Sequence, residues 1–306
     1  MMRMLRNPES TKPCVLVLGM FDGVHRGHQR LLMTGVELAE QEKLPLNVCT
    51  FEPHPLQVLR PDKAPPLLST LTERAKVMAS FGVDAFCVNS FTPEVANQHP
   101  EDYLADLVRT YQPRHIVCGF NFTFGRGGQG DGEMLEAYGM VYGYETHIVP
   151  EVMLDGATVS STRIRVLLSE GEIRGVNRLL GHAYTLAGRV VDGKHIGRTI
   201  GFPTANVRVP RTKALPAYGV YACWLQTADA TYPAVVNVGK HPTLPEGRVT
   251  VEAYALGADL QLYGQKVRLS FLHFIRPEKR FESVEELRQQ ISRDAMDCAD
   301  YFAQIE

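Results

Sequence analysis

The chain has 306 residues, of which 44% are hydrophobic and 22% are charged, and its formal net charge is −2. These values are typical of a soluble globular protein with two domains, and they do not indicate a nucleic-acid or anionic-membrane partner. No apolar stretch is long enough to span a bilayer, and no apolar segment of signal-peptide length follows the N-terminal arginines. The six cysteines are scattered without a CxxC pair, so we expect reduced core thiols in a cytoplasmic protein.

The first half of the chain alternates short apolar strands with amphipathic helices. The predicted strands are Cys14–Leu18, Leu46–Phe51, Ala85–Val88, His115–Cys118 and Thr146–Val149. The predicted helices are His28–Gln41, Leu71–Phe81, Pro100–Tyr111 and a stretch from Ser161 to Leu180 that ends at Gly181. This alternation predicts a parallel sheet covered on both faces, in a doubly wound α/β fold. Ligands of such folds bind beyond the carboxyl ends of the strands.

After Tyr184 the pattern changes to short alternating runs separated by turns. The predicted strands are Thr185–Val191, Val220–Leu225, Pro233–Val238, Val249–Leu256 and Lys266–Ile275, which together favour an antiparallel barrel. The last segment, Ser283–Gln304, opens with an N-cap serine, and the apolar spacing of Leu287, Ile291 and Met296 predicts a helix packed on the barrel. We therefore expect two domains, residues 1–183 and 184–306.

The most specific local motif is GMFDGVHRGH at residues 19–28, which follows the first predicted strand and opens a helix. Its glycines let the backbone approach a phosphate, and the helix N-terminus offers unpaired N–H groups. His25 and His28 can donate hydrogen bonds to phosphate oxygens, with Gly27 leaving room between them. Such donors stabilise charge during an in-line displacement at phosphorus. The alternative is a glycine-rich turn with two surface histidines, but the position after the first strand favours phosphate binding.

A second motif, SSTRIR at residues 160–165, begins the last predicted helix of the first domain. Its hydroxyl groups are either helix N-caps or ligands of a triphosphate, and the motif alone does not decide between them. Together with the HxGH motif the phosphate interpretation is favoured, because Arg165 lies one turn into the helix, where it can reach a phosphate.

The second domain has no GxxxxGK[ST] sequence, so phosphoryl transfer there would not use a P-loop. It carries instead the sequence GRVVDGKHIGRTIGFPTAN at residues 188–206. Gly193, Gly197 and Gly201 could cradle phosphates through backbone N–H groups. Thr204 and Asn206 offer neutral oxygens that suit Mg²⁺ beside nucleotide phosphates. The alternative is the glycine-rich hairpin loop of a small barrel.

The motifs of the first domain resemble the two signatures of the nucleotidylyltransferase superfamily. TFEPHP at 50–55 and GFNFTFG at 119–125 are similar to the flavin-side loops of prokaryotic FAD synthetases. The resemblance implies catalytic roles for His25, His28 and Arg165. It implies an ATP site formed by Gly19, Phe21, Asp22, Gly23, Ser161 and Thr162, and a flavin site formed by His54, Asn121, Phe122 and Phe124. For Phe122 and Phe124, ordinary core packing is the alternative.

The second domain resembles the flavokinase family through its PTAN motif. Further matching segments are Asn237-Val238-Gly239 with Pro242-Thr243, Val251-Glu252, Leu262-Tyr263-Gly264, Arg276-Pro277-Glu278 with Phe281, and Asp294. By this resemblance Glu252 is the general base that takes the proton from the riboflavin 5′-hydroxyl. It also implies that Gly193, Gly197, Arg198 and Gly201 bind ATP, that Thr204 and Asn206 hold Mg²⁺, and that Arg276 binds the flavin. Tyr254 stands where family members commonly have histidine.

The resemblance to the prokaryotic bifunctional riboflavin kinase/FAD synthetases spans about residues 14 to 301. It implies a six-stranded barrel and two Mg²⁺-dependent reactions: riboflavin and ATP give FMN and ADP, and FMN and ATP give FAD and pyrophosphate. The expected partners are these small molecules; an oligomer is compatible with the sequence but does not follow from it.

Three other functions would account for part of these motifs. An FAD synthetase whose barrel binds flavin without phosphorylating it would not need Glu252, Thr204 and Asn206. A flavin-sensing regulator would not need the intact His25 and His28. A cytidylyl- or pantetheine-type transferase would share the HxGH motif but has no reason to carry the PTAN barrel.

Overall fold

The computed structural model describes residues 2–192, 201–240, 249–258 and 260–305, and the chain divides into two compact units between Ser161 and Thr162. Among the described helices, none combines the length and the apolar character needed to cross a membrane.

The first unit is built on a six-stranded parallel sheet. Its strands are β1 (Arg3–Arg6), β2 (Cys14–Leu18), β3 (Leu46–Glu52), β4 (Ala85–Ser90), β5 (Pro113–Gly119) and β8 (Glu145–Val149), with the short pairs β6 (Thr123–Phe124) and β7 (Gly130–Asp131), and β9 (Met153–Leu154) and β10 (Ala157–Thr158). The helices are α1 (Arg26–Glu42), α2 (Pro55–Leu59), α3 (Leu71–Ala79), α4 (Pro93–Asn97), α5 (Pro100–Tyr111) and α6 (Gly132–Tyr142). The sheet order is β1-β4-β3-β2-β5-β8.

Strand β2 is buried on both faces, which explains its unbroken apolar sequence. Val15 and Val17 join one core with residues of α1, whereas Leu16 and Leu18 join a second core with residues of α5. The sheet extends from β2 towards β3 on one side and towards β5 on the other. This confirms the doubly wound α/β fold and makes the carboxyl ends of β2 and β5 the point where such folds bind ligands.

The second unit is a closed antiparallel barrel. Its strands are β11 (Tyr184–Val191), β12 (Ala205–Arg208), β13 (Gly219–Gln226), β14 (Thr231–Lys240), β15 (Val249–Ala255) and β16 (Lys266–Pro277), in the order β11-β12-β15-β14-β13-β16. The chain reaches the barrel through α7 (Ser161–Ser169) and α8 (Ile173–Leu180) and ends with α9 (Val284–Ala303). The predicted six-stranded barrel and C-terminal helix are confirmed.

Two details differ from the predictions. The helical stretch 161–180 is two helices, because Gly171 adopts a φ of +81° that ends the first. Met296 does not lie on the buried face of α9, since it is 56% exposed. The buried face continues instead through Asp294, Cys298 and Phe302. The apolar spacing did not reveal this face, because it includes Asp294, a charged residue that is buried there and paired with Arg276 on the barrel.

Helix α8 packs on the barrel. Its apolar face is fully buried through Ile173, Val176, Leu179 and Leu180. The side chain of Asn177 joins two strands: it donates to the carbonyl of Phe271 at 2.8 Å and accepts from the backbone N–H of Tyr184 at 2.7 Å. The structural division lies after Ser161, the first residue of α7, while the domain boundary near residue 183 stays a prediction.

We expect a fragment of residues 162–306 to be more stable than one of residues 183–306. Burial of one large aliphatic side chain contributes about 1.5–3 kcal/mol, so loss of α8 should lower the free energy of unfolding by several such increments. Urea unfolding of both fragments, followed by circular dichroism, measures the difference. Equal midpoints would contradict a supporting role for α8.

Candidate active sites

The turn that follows β2 has an unusual backbone. Phe21, Gly23 and Val24 have φ values of +53°, +85° and +43°. Glycine adopts this left-handed region freely, but for a phenylalanine and a β-branched valine it is strained. Such strain persists only where the surrounding structure enforces it, and it is concentrated at functional sites.

The carboxylate of Asp22 holds this turn. It accepts hydrogen bonds from the backbone N–H groups of Leu68 and Ser69, both at 2.9 Å, and from the Ser69 hydroxyl at 3.1 Å. The Ser69 hydroxyl in turn accepts from the N–H of Gly23 at 2.6 Å. These donors surround the carboxylate of Asp22, which is 2% exposed.

Arg74 on α3 completes the network and is itself only 1% exposed. Its guanidinium donates to the carbonyls of Met20 and Ser69 at 3.2 and 3.1 Å, and lies 3.5 Å from Asp22 Oδ1. The sequence motifs did not identify Arg74 or Ser69. The sequence signal for Arg74 is its place directly after Glu73 of the Thr70 capping box, on the buried face of a helix, where a charged residue needs a partner.

His25 and His28 are adjacent at the N-terminus of α1. His25 is the N-cap residue, and its Nδ1 accepts from the backbone N–H of His28 at 3.3 Å. The two rings stack with their centroids 3.7 Å apart. A Cβ at Gly27 would lie 3.1 Å from the His25 ring, so the glycine lets the imidazole lie against the backbone. The structure thus brings the two predicted histidines together.

The imidazole of His28 is kept neutral. Burial lowers its pKa well below 6.5, and the nearby His25 and Arg74 lower it further. Its Nδ1 atom is buried, and within the described residues it has no hydrogen-bond partner. A neutral imidazole has one N–H group to donate, and an unpaired buried ring nitrogen is typical of a group that waits for a ligand.

This depressed pKa predicts a pH-dependent stability. Between the folded pKa and the unfolded value near 6.5, the unfolded chain binds the proton that folded His28 does not. The free energy of unfolding should therefore decrease as the pH falls through 6.5, and it should decrease less in His28→Gln. Urea unfolding between about pH 7.5 and about pH 5.5 measures this; His147, whose pKa is also lowered, is common to both proteins. Parallel curves for the two proteins would contradict it.

The second motif of the first domain begins α7. The Ser161 hydroxyl donates to the carbonyl of Asp22 at 2.9 Å, which ties the end of the first unit to the strained turn. Thr162 and Arg165 follow in the first turns of α7. Their roles towards ATP rest on the motif.

The two loops predicted to bind flavin follow β3 and β5. His54 is the N-cap of α2, and its Nδ1 accepts from the N–H of Leu56 at 3.2 Å. After β5, Asn121 is exposed, Phe122 is half-buried and Phe124 is buried. Phe124 lies between Phe122, on which it stacks with ring centroids 5.9 Å apart, and Tyr103, whose tilted ring has its centroid 5.5 Å away. Phe124 therefore belongs to the core, Phe122 packs against that core while staying partly exposed, and Asn121 is exposed.

In the barrel, strand register aligns three of the predicted site residues. Asn206 on β12 lies directly opposite Glu252 on β15, and Glu252 lies opposite Asn237 on β14. The row continues to Val220 on β13 and Arg276 on β16. Directly opposite residues share one face of a sheet, and neighbouring strands are about 4.8 Å apart. Asn206 and Glu252 are therefore immediate neighbours on the outer face of the barrel. The strand register adds Asn237 as the second neighbour of Glu252 in this row.

Arg276 at the other end of the row is paired with α9. Its Nε and Nη2 donate to the two carboxylate oxygens of Asp294 at 2.7 and 2.6 Å, a bidentate pair. Asp294 is 2% exposed and also accepts from Gln290 at 2.9 Å. The pair fixes the helix against the barrel beside the row.

The second unit has two concave surfaces near the PTAN segment. Phe202, Ser292, Arg293 and Met296 contribute to a cleft between the loop before β12 and α9. The ring of Phe202 meets the edge of Tyr254 at 5.4 Å, and Tyr254 lies two residues from Glu252 on the same face. A second pocket is lined by segments of the PTAN and Leu262-Tyr263 motifs, including Pro203, Thr204, Leu262 and Tyr263. Gly201 has a φ of +88°.

The remaining predicted positions, Gly193, Gly197 and Arg198, lie outside the described residues, as do Pro242 and Thr243.

Comparison with known proteins agrees with both halves of the chain. Family models for FAD synthetase and riboflavin kinase match residues 7–163 and 180–302. The bifunctional riboflavin kinase/FMN adenylyltransferase of Escherichia coli (strain K12) is 38% identical over 94% of this chain and 93% of its own. The protein of the same description from Listeria monocytogenes is 35% identical over 95% and 93%. A crystal structure described as a macrolide-efflux protein from Streptococcus pneumoniae aligns with a TM-score of 0.87 and 30% identity, covering 95% of this chain and 97% of that chain. This chain belongs to the bifunctional riboflavin kinase/FMN adenylyltransferases, which make FMN from riboflavin and FAD from FMN with ATP.

Proposed function

We propose that FMN adenylylation takes place at the carboxyl ends of β2 and β5, on His25, His28 and the turn 19–24. The observation that carries this assignment is the half-buried His28, whose lowered pKa keeps it neutral and whose ring stacks on that of His25 at the N-terminus of α1. In-line transfer of AMP builds negative charge on the oxygens around the α-phosphorus, and no covalent intermediate is needed. Preorganised N–H donors from the two imidazoles and from the helix N-terminus stabilise that charge.

The turn residues divide into two groups in this proposal. The backbones of Gly19, Phe21 and Gly23 line the approach for the ATP phosphates, and Ser161 contributes a hydroxyl group. The proposed roles of Thr162 and Arg165 rest on the sequence motif alone. Asp22 was predicted to bind ATP, but its carboxylate accepts bonds from Leu68 and Ser69, with Arg74 beside it. We therefore assign Asp22 to positioning: it holds the strained turn in the conformation that presents the backbone N–H groups.

On the flavin side, we assign isoalloxazine binding to Asn121 and Phe122, with His54 at the neighbouring loop. Exposed Asn121 supplies amide hydrogen bonds to a polar ring edge, and the half-buried Phe122 supplies a stacking face. The buried Phe124 supports Phe122 from behind. Phe120, which is 54% exposed in the same loop, is a further candidate for stacking.

For riboflavin phosphorylation, we assign Glu252 as the base that takes the proton from the 5′-hydroxyl as it attacks the γ-phosphorus of ATP. Its neighbours support the role, because Asn206 and Asn237 flank it with amide groups rather than with a second negative charge. The cleft between Phe202 and Met296 lies beside it and offers apolar surface for the flavin, with Arg276 fixing the helix that forms one wall. The pocket that contains Thr204 and Tyr263 is the proposed nucleotide side.

The oxygen donors at this place fit Mg²⁺, the cation that accompanies ATP. Thr204 and Asn206 offer a hydroxyl and an amide oxygen, and Glu252 contributes nearby negative charge, a donor set that suits a hard cation. Mg²⁺ would neutralise phosphate charge when bound with ATP.

Six free, buried cysteine thiols also support the proposed cytoplasmic location, since a reducing compartment keeps them reduced.

His28→Ala tests the first assignment. We expect FAD formation from FMN to fall by about 10²–10³-fold, the usual effect of removing one donor that stabilises transition-state charge. FMN formation from riboflavin should persist, because the residues assigned to the kinase lie in the other unit. His99→Ala, at an exposed position on the same unit, is the matched control. An equal fall in FMN formation, in a variant that circular dichroism shows to be folded, would refute the separation of the two sites.

A further inference from the structure

A cluster of two histidines and one glutamate lies in the first unit, apart from the candidate adenylylation site of that unit. His115 is on β5, and Glu145 and His147 are on β8. The strand register places Glu145 beside His115, and His147 is two residues further on the same face. His115 and Glu145 stand near the amino ends of their strands, so the cluster is at the opposite edge of the sheet from the turn that follows β2.

The three donor atoms converge on one point. His115 Nδ1 is 3.1 Å from His147 Nε2 and 3.5 Å from Glu145 Oε2, and the remaining pair is 4.0 Å apart. Zinc binds imidazole nitrogen and carboxylate oxygen at about 2.0–2.2 Å in a tetrahedron, whose edges are then about 3.3–3.5 Å. The observed separations bracket that edge length, so small side-chain rotations would place all three atoms in bonding distance of one ion.

Hydrogen bonds among His115, Glu145 and His147 explain the positions of the three side chains less completely than a shared metal ion does. His115 Nδ1 is the atom nearest to both other groups, and a single N–H can be directed fully at only one of them. Neutral imidazole and ionised carboxylate are the forms that bind metals. Glu145 is exposed, which leaves one side of the cluster open to water.

We propose that His115, Glu145 and His147 bind a zinc-class divalent ion, with water in the fourth position. Two imidazole ligands favour Zn²⁺ and related transition metals over Mg²⁺, which prefers oxygen. Strand β8 is at the edge of the sheet, paired on one side to β5. The bound ion would cross-link these two strands and stabilise the edge of the first unit.

Zinc titration of the full chain tests the proposal. After treatment with a chelator, calorimetric titration with Zn²⁺ should show a single site, and Co²⁺ should give the intense visible absorption of a four-coordinate ion. His147→Gln and Glu145→Gln should weaken binding by at least about 100-fold, since loss of a residue that only hydrogen-bonds a metal ligand already costs about 10–100-fold. His99→Gln should leave it unchanged, and Zn²⁺ should raise the melting temperature of the parent protein but not that of His147→Gln.

Each contrary result overturns the proposal. Absence of a one-to-one site in the parent protein would do so, as would Zn²⁺ binding that both variants retain. Glu145→Gln changes an exposed side chain, so it tests the ligand role even if a histidine variant fails to fold.

Discussion

Glu252→Gln should reduce FMN formation from riboflavin by about 10²–10⁴-fold, the usual contribution of a general base. Glutamine keeps the shape of the side chain and its place in the row beside Asn206 and Asn237, but it cannot accept the proton of the 5′-hydroxyl. FAD formation from supplied FMN should remain within a few-fold of the parent protein. Chromatographic analysis of products from riboflavin and from FMN, each with ATP and Mg²⁺, measures both rates.

The matched control is Asp229→Asn, which removes one negative charge from an exposed turn of the same barrel, between β13 and β14. It should leave both rates unchanged. A kinase rate within a few-fold of the parent protein in Glu252→Gln would remove the glutamate from the role of base. A parallel loss of FAD formation would show that the substitution acts on more than one site.

Arg74→Met should destabilise the first unit and remove FAD formation. The substitution preserves the approximate length of the side chain but removes the guanidinium that lies 3.5 Å from the buried carboxylate of Asp22. Breaking a buried ion pair by removing one partner costs about 3–5 kcal/mol, so a transition of the first unit should move to lower urea concentration. The strained turn would lose the bonds that Arg74 makes to Met20 and Ser69.

Arg74→Lys distinguishes the role of Arg74 in positioning the turn from its contribution to the stability of the first unit. Lysine keeps the charge but lacks the planar fork that reaches two carbonyls at once, so it should recover much of the stability and less of the kcat for FAD formation. Arg109→Met is the control, because Arg109 belongs to an exposed ion pair that is worth about 0–1 kcal/mol. If Arg74→Met were as stable and as active as Arg109→Met, the network would have no role in holding the turn.

The sequence predicted those elements best whose own residues determine their bounds. Strand β2 and helix α5 were predicted to the residue, because one is buried on both faces and the other opens with a proline at its first position. Helix α6 was missed. It contains Gly132 and Gly139, which lower helix propensity, and Met140 on its surface is 97% exposed, so no apolar face is apparent.

The site residues that are close together in the sequence were likewise predicted better than those that only the fold brings together. His25 and His28 are three residues apart, and the motif was sufficient to predict that they act together. Ser69 and Arg74 lie 47 and 52 residues from Asp22, and no local pattern connects them to it. The row from Asn206 through Glu252 to Arg276 depends on the register of five strands, which the closed barrel determines and the sequence does not display.

Mixing two defective variants tests most directly whether the two reactions use separate residues and share free FMN. His28→Ala alone should convert riboflavin only to FMN, and Glu252→Gln alone should convert only supplied FMN to FAD. Incubated together with riboflavin, ATP and Mg²⁺, the two proteins should make FAD, because FMN released by the first is adenylylated by the second. If the mixture made no FAD although each variant retained its single activity, separate sites linked by diffusing FMN would be contradicted.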